Sequence, residues 1–144
     1  MRLKLKPNNH RPITVTILAL LVLSIPVMNL IRFGAALRYW DTLTNLAVSP
    51  GPLYIALTGL FWSIVGMGLF WSLWIGHPKS RTATLVMVPL YLIYFWTDRL
   101  FFQTKVPREN TPFVLVATIL VVFYTLFTLS LPGNRFYLSR KNEQ

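Results

Sequence analysis

The chain has 144 residues, 54% of them apolar and 12% charged, with 14 Lys and Arg against 4 Asp and Glu and no cysteine. A soluble domain of this size could not cover its surface with so few polar groups, and the lack of thiols excludes disulfide, iron–sulfur and cysteine–zinc chemistry. The two histidines, His10 and His77, lie outside the apolar stretches, so the chain alone cannot offer a haem a pair of axial imidazoles within a bilayer.

Four apolar stretches, 13–31, 53–75, 82–102 and 113–131, dominate the sequence. Each is close to the roughly 20 helical residues that cross the hydrocarbon of a membrane. The tails and loops left over are too short for a separate extramembrane domain. The expected fold is all-α and integral to the membrane: one domain, 1–144, of four transmembrane helices in a bundle. No catalytic constellation, metal cluster or cofactor motif is visible, so no cofactor is expected to be held by this chain alone.

The first span follows a basic tail and resembles a secretory signal, with Gly34 and Ala36 placed where small residues precede a cleavage point. Its apolar region is longer than a usual signal core, so it reads as a retained span. Pro26 within it, like Pro89 in the third span, removes a backbone hydrogen bond and predicts a bend, for packing or as a hinge. Pro12, Pro52 and Pro112 mark helix starts, with Ser80 and Thr111 as candidate caps. The outer segment 32–48 repeats Phe33, Ala36, Leu37, Trp40, Leu43 and Ala47 at spacings of three and four, with Arg38, Asp41, Thr42 and Asn45 on the other face. That pattern predicts a short amphipathic helix, with Arg38 and Asp41 placed to pair, lying on the membrane surface or docking another subunit.

In the second span Gly59-Leu60-Phe61-Trp62-Ser63 recurs nine residues later as Gly68-Leu69-Phe70-Trp71-Ser72. At about 100° per residue the two copies face opposite ways. Small residues four apart let transmembrane backbones approach, so Gly59 and Ser63 are expected to pack one neighbour and Gly68, Ser72 and Gly76 another, unless the repeat is a chance of composition. Trp74 suits the inner interface and Tyr54 the outer. Trp62 lies deeper and must face protein, lipid or a ligand.

The third span carries the one acid within an apolar segment, Asp98, in Tyr94-Phe95-Trp96-Thr97-Asp98-Arg99. Thr84, Met87, Tyr91, Tyr94 and Asp98 share a helical face. Two readings stand: a structural ion pair of Asp98 with Arg38 or Lys105, or a ligand or proton site formed by Tyr91, Tyr94 and Asp98, with a lipid or quinone headgroup as the bound chemistry. The fourth span has Thr118, Tyr124, Thr125 and Thr128, predicting hydrogen bonds between helices. Pro132 and Gly133 close it, and Phe136 and Tyr137, among Arg135 and Arg140, read as an interfacial anchor.

Nine Lys and Arg (2, 4, 6, 11, 79, 81, 135, 140, 141) fall on the face that carries both termini, and five (32, 38, 99, 105, 108) on the other, together with Asp41, Asp98 and Glu109. The positive-inside rule then makes both termini cytoplasmic, in what reads as a bacterial plasma membrane. The net charge of +10 is spent on anionic lipids at the cytoplasmic face rather than on nucleic acid. By exclusion the chain reads as a non-enzymatic accessory subunit of a larger membrane complex, respiratory or photosynthetic, with other transmembrane subunits as partners. The alternative is a small homo-oligomeric transporter, or a lipid- or quinone-binding protein using the Tyr91, Tyr94 and Asp98 face.

Overall fold

A computed structural model describes residues 11–46, 50–102 and 110–139. The elements are α1 (Ile13–Arg38), α2 (Trp40–Asn45), α3 (Pro52–Ile75), α4 (Ser80–Thr97) running on into a π-helical turn (Asp98–Phe102), α5 (Thr111–Ser130) and α6 (Pro132–Ser139). The described residues contain no strand. The helices α1, α3, α4 with its π turn, and α5 are each long and apolar enough to cross a membrane, which marks the chain as a membrane protein.

Helix boundaries follow local chemistry. Pro52 and Pro132 open α3 and α6 as first residues and Pro112 is the second of α5, where a missing N–H costs nothing. Ser80 and Thr111 begin α4 and α5 but make no side-chain cap. Gly76, expected to pack helices, instead ends α3: its φ of 70° and ψ of 37° let its N–H reach Leu73 O and the His77 N–H reach Ser72 O. This left-handed cap favours glycine. His77 serves the same turn, its Nδ1 accepting from the Lys79 N–H at 3.2 Å.

The predicted amphipathic segment 32–48 is divided in the structure, and its residues 47 and 48, Ala47 among them, fall outside the described residues. Residues up to Arg38 prolong α1, and only six residues form α2 after a break at Tyr39. Nothing between Ile31 and Arg38 interrupts the helix, and Arg32, the charge that would end an apolar span, is neutralised by an acid from α4. No Arg38–Asp41 ion pair forms among the described residues; both side chains are exposed. Lys105 falls outside the described residues, as do the side chains of Phe136 and Tyr137.

The closest helix pair is α1 with α3. Ala56, Gly59, Ser63 and Gly66 recur at three- and four-residue spacing along the buried face of α3. A Cβ on Gly59 would lie 2.9 Å from Asn29 O and 3.0 Å from Phe33 N, and one on Gly66 would lie 2.8 Å from the Pro26 ring. The Ser63 hydroxyl donates to Pro26 O at 3.3 Å. The helices run through Pro26 and Pro89, but only the first is buried, its ring seated over Gly66. At the second glycine of the repeat, Gly68, a Cβ would meet no atom of another element within 4 Å among the described residues. α1 occupies the Gly59 face of α3, and α4 packs α3 through Trp62, so the second neighbour does not use the Gly68 face among the described residues. Gly68 lies instead in an outward groove with Leu30, Leu60, Ile64, Met67 and Trp71.

At the end where α1 begins, Arg11 stacks 3.6 Å from the Trp74 ring centre and Tyr124 Oη donates to Thr14 O at 3.1 Å. The short α6 folds back here: Asn134 donates to Thr14 Oγ1 (2.9 Å) and Thr128 O (2.8 Å), and Leu138 joins the core with Val15, Leu18, Leu73 and Leu129. Only Tyr124 of the α5 polar stripe bonds another helix through its side chain, because Thr118 and Thr125 turn back onto Val114 O and Val121 O. The hydroxyl of Thr128 is fully buried and has no partner among the described residues. An unmet buried hydroxyl costs about 1–3 kcal/mol, so Thr128→Val, which keeps the shape, is expected to raise the unfolding midpoint in detergent.

Candidate functional site: a polar network between α1, α3 and α4

Of the face predicted from Thr84, Met87, Tyr91, Tyr94 and Asp98, the last three turn inward onto α1 and α3, while the Thr84 hydroxyl returns to Ser80 O of its own helix. Asp98 is 2% exposed. Its carboxylate meets the Arg32 guanidinium in a two-pronged contact, Nη2 to Oδ1 and Nη1 to Oδ2, both at 3.1 Å. Arg32 Nη1 also donates to Tyr94 Oη at 3.1 Å. One helical turn back along both helices, Asn29 Nδ2 donates to Ile25 O (2.8 Å) and to Tyr91 Oη (3.3 Å). Thus residues 29 and 32 of α1 meet residues 91 and 94 of α4 and residue 98 of its π turn in matching order.

From α3, Trp62 packs edge-on to Tyr91 with ring centres 5.1 Å apart and lies 5.3 Å from Tyr94. The deep tryptophan therefore faces protein. Tyr54, at the start of α3, turns its phenol toward the Asp98 carboxylate and sets its ring 5.2 Å from Phe102. A fork of two parallel charge-assisted bonds, reinforced by phenols, compensates the desolvation of an acid in an apolar span.

Sequence reasoning offered Arg38 or Lys105 as the partner of Asp98; the structure pairs it with Arg32, which lies two turns nearer the α1 midpoint than Arg38. Asn29 was missed as well. The available signal was periodicity: Ile25, Asn29 and Arg32 recur at four and three residues on α1, matching Tyr91, Tyr94 and Asp98 at three and four. The π turn begins at Asp98, and consecutive residues diverge there. Asp98 faces α1, whereas Arg99 reaches Thr111 Oγ1 of α5 at 3.5 Å.

Asp98 is matched by Arg32, and the phenol oxygens of Tyr91 and Tyr94 accept from Asn29 and Arg32, so the network links α1 to α4 and its π turn, while the Arg32 side chain stays 28% exposed. Among the described residues no three acidic or histidine side chains gather as a metal site would need. Compared with protein families, with curated proteins and with solved structures, the chain finds no match.

Proposed function

We propose that this chain is a non-catalytic accessory subunit of a larger membrane complex, a four-helix bundle with both termini in the cytoplasm. The observation that carries the reading is the outward groove over Gly68. Its small residue and aliphatic walls (Leu30, Leu60, Ile64, Met67) suit close approach by a transmembrane helix of another subunit, and none of the described residues fills it. The pairing of Asp98 with Arg32, and of the two phenols with Asn29 and Arg32, supports the same reading, since it gives each of these polar side chains a structural use within the chain. The split of nine basic residues against five supports the orientation.

Extraction in mild detergent followed by native mass measurement tests the proposal. The expected result is a heteromeric assembly that loses this chain on Gly68→Leu, while the isolated variant keeps its fold. Recovery of the wild-type chain solely as a monomer or homo-oligomer would defeat the subunit reading.

A further inference from the structure

A second cavity is left unexplained by the polar network and by the subunit reading. It is a cleft of about 260 Å³ between α1, α4 and α5, sharing only Tyr91 with the polar network. Its α5 wall runs from Phe113 to Thr125. At 1.5 Å per residue that is about 18 Å, close to half of the roughly 30 Å hydrocarbon thickness, so the cleft is about one leaflet deep. It begins at the membrane-surface end of α5, where the helix starts.

The walls are hydrocarbon in character despite three hydroxyls in the lining. Ser24, Thr118 and Thr125 each donate to a carbonyl of their own helix, Leu21 O, Val114 O and Val121 O. The polar atom of Tyr91 is engaged by Asn29. Such a cleft within the spans gains dispersion contacts only by admitting an apolar chain, and it offers water too few partners to hold it.

The mouth has the opposite character. Arg99 stands one turn beyond Phe95 of the lining and touches Thr111 Oγ1, its single partner among the described residues, just before Phe113 and Val114 of the lining. The neighbouring acid, Asp98, is engaged by both Nη atoms of Arg32. A planar guanidinium at the surface end of a hydrocarbon cleft matches a phosphate ester joined to an acyl chain.

We infer that the cleft holds one acyl chain of a phospholipid from the leaflet level with Arg99, and that Arg99 binds its phosphate. This site lies apart from the Gly68 groove, and its test is independent of any partner subunit.

The test uses the full chain, delipidated in detergent, with three lipids of matched acyl length added back and read by native mass spectrometry: an anionic phospholipid, a zwitterionic phospholipid and a diacylglycerol. One molecule of either phospholipid is expected to be retained per chain, and diacylglycerol at least about tenfold more weakly, the value of one charge-assisted contact. Arg99→Gln should reduce phospholipid retention to the diacylglycerol level. Ala117→Phe and, as a second variant, Val121→Phe should fill the cleft and remove bound lipid, while the lipid-free unfolding midpoint stays equal or rises. Equal retention of diacylglycerol and phospholipid, or undiminished phospholipid on a folded cleft-filling variant, overturns the inference.

Discussion

Gly66→Leu is expected to prevent recovery of folded protein, and Gly66→Ala to lower the unfolding midpoint measurably. A methyl at this position meets the Pro26 ring at 2.8 Å, and that ring is fixed in the α1 backbone and cannot swing aside. Gly59→Ala meets Asn29 O at 2.9 Å, again main chain. Two effects compete, because replacing glycine by alanine in a helix is worth up to about 1 kcal/mol in propensity, whereas overpacking costs about 1–3 kcal/mol. At Gly59 and Gly66 the backbone contacts make the cost win, and a leucine multiplies it. At Gly68, with nothing within 4 Å, the propensity term acts alone, so Gly68→Ala should leave the isolated chain as stable or slightly more so. Unfolding midpoints of the three alanine variants in one detergent check the ranking. A Gly68→Ala midpoint as low as that of Gly66→Ala would show that the outward face of α3 is packed within the chain after all.

That contrast also shows what the sequence could and could not convey. The number of spans was legible because it depends on length and hydropathy, which are local. The Gly59–Ser63 face was legible because small residues four apart have one main use in a membrane. The repeat misled for Gly68, since identical pentapeptides half a turn out of phase meet different surroundings. Gly66, outside the repeat, makes the tightest contact of all. For Gly76 the span boundary decided: at the last turn a glycine is a cap before it is a packing surface. The stripe of Tyr91, Tyr94 and Asp98 was legible as a face, but its partners on α1 were not, because a pattern on one helix does not say which neighbour it meets. The continuation of α1 through Arg32 depends on the same unseen neighbour, which is why 32–48 read as a separate amphipathic helix.

The Arg32–Asp98 pair gives the other large expected effect, and a double-mutant cycle separates its roles. Arg32→Met leaves an acid of 2% exposure among Tyr54, Tyr94 and apolar side chains, without its countercharge. Breaking a buried pair in this way costs about 3–5 kcal/mol. Asp98→Leu is expected to cost less, because the Arg32 side chain is 28% exposed near a helix end and can extend toward the headgroups. The double variant Arg32→Met with Asp98→Leu should return to within about 1 kcal/mol of the wild type, since apolar replacement of both partners removes the desolvation cost along with the attraction. Unfolding free energies of the four proteins measure the coupling, and strict additivity would mean that the pair contributes nothing. Function then discriminates between the two readings of the site. If the network only clamps α1, α3 and α4, the double variant assembles with its partners as the wild type does. If Asp98 handles protons or a ligand, the double variant is stable but inactive, and the accessory-subunit reading gives way to the transport or ligand-binding one.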